Sequence, residues 1–131
     1  MSGPPKWADY GEASYARGCM AMEVFICHTT PVQPGPPPAD VMAAHLEYQK
    51  QIEAEGKLFL AGPLSDEVGD VMSGGGMIVY VAEDIAAART LADADPMHSA
   101  GVRTYKIQAW RLNEGAPMPG LRLSTRSFSL R

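Results

Sequence analysis

The chain is poor in the residues from which the most recognisable sites are built. It has two cysteines in 131 residues, Cys19 and Cys27, and they show no CxxC spacing, so a reducing cytoplasm is the compartment it fits. It has three histidines, His28, His45 and His98; none of them stand at HxxxH or HxH spacing, and no metal is expected. Eleven basic side chains against fifteen acidic ones leave a formal net charge of −4, which speaks against a nucleic-acid partner, because phosphate binding needs clustered Lys and Arg. No apolar run approaches the roughly 20 residues of a membrane helix. The first residues, MSGPPKWADY, contain no apolar stretch of the kind a secretory signal requires. Ser65, Ser73 and Ser99 lack any nucleophile-elbow motif. SGGGM at 73–77 has neither the following helix nor the Lys of a phosphate loop; three glycines before a strand suggest a mobile hairpin or lid. No cofactor is implied.

What is present is one domain's worth of chain with 46% hydrophobic and 20% charged residues. Its middle and its ends differ. Residues 22–113 carry twelve acidic and six basic side chains, whereas 114–131 carry one Glu and three Arg. Residues 1–21 mix Gly, Pro, Ser and Tyr without apolar periodicity and are expected to be irregular, with Met20 or Met22 a possible biological start. The tail at 114–131 has broken alternation around Leu121, Leu123, Phe128 and Leu130, suiting either an arm exchanged with a partner or a frayed end.

Between these ends the periodicities are clear. MEVFICHTT from Met22 is rich in β-formers, with Val24, Ile26 and His28 on one face and Phe25, Cys27 and Thr29 on the other. A proline-rich loop ends at Pro38, which suits a helix's first turn, and Asp40 sits near that helix's positive end. The helix is predicted to run to about Glu55, with Val41, Ala44, Tyr48 and Ile52 on its apolar stripe and Gly56 as its stop. KLFLAGPLS reads as a second strand ending at Gly62-Pro63, SDEVGDVMSGGG as a polar loop and MIVYVA as a buried third strand. EDIAAARTLADA predicts a second helix with Ile85, Ala88 and Leu91 inward, and VRTYKIQAWRL a final alternating strand. The order βαββαβ is the ferredoxin-like split βαβ, an α+β fold with an antiparallel sheet and helices on one face. The other face is expected to be apolar and to stack on a second copy, giving a homodimer.

Two residues stand out chemically. His45 falls within the apolar stripe of the first helix, where a partly desolvated imidazole needs a hydrogen-bond partner. Asp95 immediately precedes Pro96, which disfavours helical geometry at Asp95 and turns its carboxylate out of the helical path. If folding joins them, the carboxylate fixes the imidazole tautomer and leaves the other nitrogen to exchange a substrate proton. The competing structural readings are a satisfied core histidine and an Asp that only caps the next turn.

These features carry a resemblance. His45 on the first helix, GKLFLAGP at 56–63, and ADADP at 92–96 followed by AGV at 100–102 make the stretch from Met22 to about Arg111 similar to the YCII-related family. The resemblance implies a dimeric α/β barrel built on the ferredoxin-like fold, a His-Asp pair as the catalytic site, and a mostly unknown substrate. His45 and Asp95 are the residues that match. Where the family often has Ser or Arg in the turn before the histidine this chain has Val41 and Met42, and where it often has an aromatic after ADP this chain has Met97 and His98.

Tyr48, on the stripe of His45, and His28, Pro63, Met97 and His98 are the candidates for substrate contact, and Met42 and Met77 for apolar padding. Two functional classes follow. One is a small cofactor-independent enzyme of lyase or isomerase type that moves protons on a small oxygenated organic molecule; a monooxygenase-like reading is a weaker variant. The other is a binding or accessory protein that uses the same cleft without turnover.

Overall fold

The computed structural model describes residues 3–129. They fold into two compact units, one spanning Val24–Ala109 and the other built from the two ends of the chain, up to Glu23 and from Trp110 onward.

The central unit carries the ferredoxin-like arrangement. Strands β1 (Met22–Pro31), β2 (Leu58–Ser65), β3 (Met72–Tyr80) and β4 (Arg103–Leu112) form one sheet in the order β2-β3-β1-β4, with β3 antiparallel to both β1 and β2. Helices α2 (Ala39–Ala54) and α3 (Ile85–Ala94) cover one face. Phe25 and Cys27 of β1, Ile78 and Tyr80 of β3 and Ile107 of β4 meet Ile52 of α2 and Ala88 and Ala92 of α3 in one buried cluster, with Tyr48 and Leu91 packed against it. Burying an Ile or Phe side chain of this kind contributes about 1.5–3 kcal/mol. The small Ala88 and Ala92 let α3 lie close on the sheet.

The helix ends are specified locally. Gly56, at φ +74°, takes the left-handed position after the Glu55 cap of α2, and the amides of Gly56 and Lys57 return to the carbonyls of Glu53 and Ile52 at 3.1 and 2.8 Å, a Schellman closure. Asp84 caps α3 by accepting the Ala87 amide at 2.8 Å. Asp95 ends α3 and, at φ −65° and ψ 125°, also caps a short helix α4 (Pro96–Ser99), with proline in its first turn.

Several expectations are corrected. The stretch expected to be irregular contains helix α1 (Trp7–Ala16), whose buried residues are Gly11 and Ser14; a helix that packs through small residues carries almost no apolar periodicity. β2 continues through Pro63 to Ser65, and SGGG belongs to β3 rather than to a loop, leaving a turn at 66–71 organised by the Asp66 carboxylate accepting the Asp70 amide at 2.8 Å. Ala44 and Ile85 are exposed rather than inward, and Val41, His45, Tyr48 and Ile52 form the inner stripe of α2. The face of the sheet away from the helices is mixed rather than apolar: Ile26, Val79, Met77 and Leu60 share it with exposed His28 and Thr30. No helix among the described residues is long and apolar enough to cross a membrane.

The terminal unit is held by its arginines. The Arg111 guanidinium lies 4.7 Å from the centre of the Trp7 ring and 3.5 Å from the Glu23 carboxylate, and the Trp7 indole donates to Glu23. A side chain at Gly11 would displace that guanidinium. The Arg126 guanidinium stacks 3.8 Å from the centre of the Tyr15 ring. The tail forms a two-stranded ribbon, β5 (Leu121–Arg122) with β6 (Ser127–Phe128), and the Met20 amide donates to Leu123 at 2.8 Å. The tail expectation at Leu130 lies outside the described residues.

Candidate active site

The inner stripe of α2 delivers His45 to the corner where α3 turns into α4. There His45 Nδ1 lies 2.8 and 3.0 Å from the two oxygens of Asp95, fifty residues away in sequence. The Asp95 side chain is fully buried, whereas that of His45 keeps 18% exposure. Pro96 forces this arrangement, because Asp95 cannot continue α3 and its extended backbone aims the carboxylate back at α2. Asp95 Oδ1 also accepts the Met97 amide at 2.9 Å. The carboxylate therefore caps a helix and orients an imidazole together, so the capping reading and the pairing reading both hold. A buried carboxylate accepts, so Nδ1 carries the ring proton, and the lone pair of the neutral ring is on Nε2. No described residue bonds to Nε2.

His45 and Asp95 border a cavity of about 630 Å³ that opens between α2 and strands β2 and β3. Pro63 and Met97 also line it, as do Met42 and Met77. The remaining candidates lie elsewhere. Tyr48 spends its hydroxyl on the Leu91 carbonyl at 2.7 Å, and burial raises its pKa above the ordinary phenol value, so it is a neutral structural donor. His28 is exposed, on the β1 face opposite Cys27 and Thr29, because strand alternation sends it to the side without helices. His98 is fully committed: Nδ1 donates to the Ala92 carbonyl at 2.7 Å, Nε2 accepts from the Thr29 hydroxyl at 2.9 Å, and its ring packs on Tyr105 with centroids 4.9 Å apart. The roles of the two nitrogens follow from the carbonyl, which can only accept. Tyr48, His28 and His98 are thus removed from the cavity lining.

The fold also brings in residues that the sequence reading passed over. Thr29, Gln49 and Arg103 line the cavity. Gln49 stands four residues after His45, one turn along the same helix face, and its Oε1 is buried without a hydrogen-bond partner among the described residues. Arg103 alternates with Tyr105, Ile107 and Ala109, which places it on the helix-covered side of β4. Both positions were readable from spacing once the cavity's location was known.

The groups beneath the site are inert. Burial pushes the Cys27 thiol up to about 12, so it is no nucleophile at neutral pH. Burial also raises the Tyr80 hydroxyl far above its ordinary value, and that oxygen has no well-formed hydrogen bond. Among the described residues no cluster of three or more His, Cys, Asp or Glu could hold a metal ion.

The sequence model of the YCII-related domain matches residues 20–111. The chain belongs to the YCII-related family. Among curated proteins it is similar to the uncharacterized protein YjpA of Bacillus subtilis strain 168, at 30% identity over 73 residues, which cover 56% of this chain and 79% of that protein. Among solved structures it is similar to the 5-chloro-2-hydroxyhydroquinone dehydrochlorinase TftG from Burkholderia phenoliruptrix AC1100, in complex with 2,5-dihydroxybenzoquinone. That match has 20% identity and a TM-score of 0.45, over 70% of this chain and 95% of the other.

Proposed function

We propose that this YCII-related protein is a small proton-transfer enzyme of lyase or isomerase type, with His45 as the group that takes and returns the proton and Asp95 as its orienting partner. The observation that carries the reading is the bond from His45 Nδ1 to a wholly buried carboxylate beside an apolar cavity. Asp95 holds the ring in one tautomer and balances its charge when Nε2 takes up a proton. Nε2 abstracts a proton from a carbon or hydroxyl of the bound molecule. The electron pair left behind then either expels a leaving group from the neighbouring atom, which is the lyase outcome, or shifts along the molecule to be reprotonated elsewhere, which is the isomerase outcome. A cavity of about 630 Å³ suits one small organic molecule.

The working assembly in this proposal is a homodimer stacked through the helix-free sheet face, where Leu60 is 60% exposed and shares a face with Met77. Light scattering tests it, with a dimer expected and a monomer at micromolar concentration against it.

The reaction itself is tested by incubating the protein in D₂O with a panel of small hydroxy acids, hydroxyquinones and unsaturated lactones, and following deuterium incorporation by mass spectrometry. Exchange that vanishes in His45→Gln supports the enzyme. Saturable binding with no exchange at any position supports a protein that only binds its ligand in the same cavity.

A further inference from the structure

Among the described residues, Arg103 is a cation with nothing to neutralise it. It is half-buried at the start of β4 and reaches past the end of β1 to β3, where its Nη1 donates to the Gly74 carbonyl at 3.0 Å. That is its one hydrogen bond within the described residues, and no Asp or Glu among them comes within ion-pair distance. A guanidinium offers five N–H donors in a planar fork, so at least one edge of the fork is unused on the cavity wall. The acidic residues that border the cavity do not serve it: Asp95 is held by His45 and the Met97 amide, and Glu53 is exposed on α2 at the rim, with Lys50 close in sequence. The glycines of β3 now have a purpose. Gly76 faces the cavity floor between Thr29 and Pro63, where a Cβ would come within 3.1 Å of the Gly62 carbonyl oxygen. With Gly76 bare, the floor on the side of Arg103 is open to a ligand.

We propose that the cavity takes a small organic oxyanion, a carboxylate or phenolate on an apolar body, with Arg103 gripping the charged oxygen and the unpartnered Gln49 amide oxygen accepting a hydroxyl or N–H of the same molecule. The lining supports this division of labour. Met42, Leu58, Ile78 and Met97 supply an apolar wall, and the polar groups are few and placed singly, as in a site that orients rather than solvates its ligand. Arg103 is a specificity residue in this scheme, and the proton chemistry stays with His45. The proposal deepens the proton-transfer reading by naming the substrate class, but its test reads binding alone, so either can fail without the other.

The probes are benzoate, 4-nitrophenolate and neutral benzamide, titrated into the full-length protein by calorimetry at pH 8, with ¹H–¹⁵N NMR to place the shifts. Saturable binding of at least one anion, with shifts at Thr29, Gln49 and Gly76, is expected, together with at least tenfold weaker binding of benzamide. Charge-assisted hydrogen bonds are worth roughly 1.5–3 kcal/mol, about 10- to 150-fold in affinity. Arg103→Gln removes the preference for the anion by about tenfold or more, Arg103→Lys keeps part of it, and Lys106→Gln, at an exposed cation of the same strand outside the cavity lining, leaves it within about threefold. Tighter binding of benzoate than of 4-nitrophenolate marks a carboxylate substrate, and the reverse marks a phenolate. Equal affinity for benzamide and both anions, or an anion affinity unchanged in both Arg103 variants, overturns the proposal while leaving the deuterium-exchange test of His45 standing.

Discussion

Two imidazoles lie on either side of Asp95, and their surroundings assign them opposite tasks. Each has Nδ1 committed as a donor. His45 gives it to a buried carboxylate, whereas His98, three residues beyond that carboxylate, gives it to a main-chain carbonyl. The decisive difference is at the other nitrogen. His98 Nε2 is tied to Thr29 on β1, so this ring bolts α4 to the sheet. His45 Nε2 has no partner among the described residues, lies beside a cavity and has a charge-balancing partner at its back. A histidine becomes a reaction centre by what it leaves free as much as by what it binds.

The comparison breaks most sharply by exchanging the rings' fates. His45→Gln is expected to reduce turnover on any substrate found by about 10²–10⁴-fold, the usual contribution of a positioned base, and to cost about 1–3 kcal/mol of stability because the buried Asp95 carboxylate loses its imidazole donor. His98→Gln is expected to spare turnover, costing about 1–2 kcal/mol in urea unfolding with kcat within a few-fold of wild type, because two partly buried hydrogen bonds are disturbed and no cavity group is lost. Equal loss of activity in both would mean that the distinction drawn here is wrong.

The carboxylate serves both corners, so its replacement sharpens the contrast. Asp95→Ala removes the partner of His45 and the cap of α4, and a loss of about 3–5 kcal/mol is expected in the same unfolding experiment. Asp95→Asn keeps an acceptor for the Met97 amide, costs less stability, and still lowers turnover at least tenfold, since an amide cannot balance the charge on the ring.

Smaller effects come from the layer beneath. The Cys27 thiol titrates near 12 in the folded chain against an ordinary value of 9.0. Its folded value is raised, so its contribution to stability is complete below pH 9 and fades as pH rises toward 12. The buried Tyr80 hydroxyl acts in the same direction above pH 10. A melting temperature that falls steeply above pH 9, and less steeply in Cys27→Ala relative to its own neutral-pH value, is the expected outcome; parallel curves for the two proteins would contradict it. The smallest effect is that of Gly76→Ala, expected to cost about 1 kcal/mol and to weaken anion binding by crowding the floor near Pro63.

How much of this was readable from the residues depended on the kind of signal. The sheet and two main helices were legible because β1 alternates and α2 and α3 carry punctuation at Pro38, Gly56, Asp84 and Pro96. The pairing of His45 with Asp95 came from the resemblance to the YCII-related family; physical need said only that a desolvated imidazole and a carboxylate displaced by proline each required a partner. Helix α1 was invisible because Gly11 and Ser14 do its packing, and a buried glycine looks like a loop residue. SGGG was misread for the same reason: composition alone cannot distinguish a strand stripped to clear a cavity from a flexible turn. His28 and His98 looked equivalent to His45 as residue types, and only strand direction and tertiary hydrogen bonds separate them. Arg103 and Gln49 were in register with the core-facing positions, but a charged residue at such a position gains meaning only when its counter-ion is found missing.

The central claim is that His45 is held with its proton on Nδ1 and its lone pair on Nε2. Long-range ¹H–¹⁵N correlation NMR of the histidine side chains reads this directly. In its neutral form, His45 is expected to show a pyrrole-type Nδ1 and a pyridine-type Nε2, and to drift to a mixture of tautomers in Asp95→Ala. A wild-type His45 found as the Nε2–H tautomer, or one whose nitrogen shifts are indifferent to the loss of Asp95, would contradict the account.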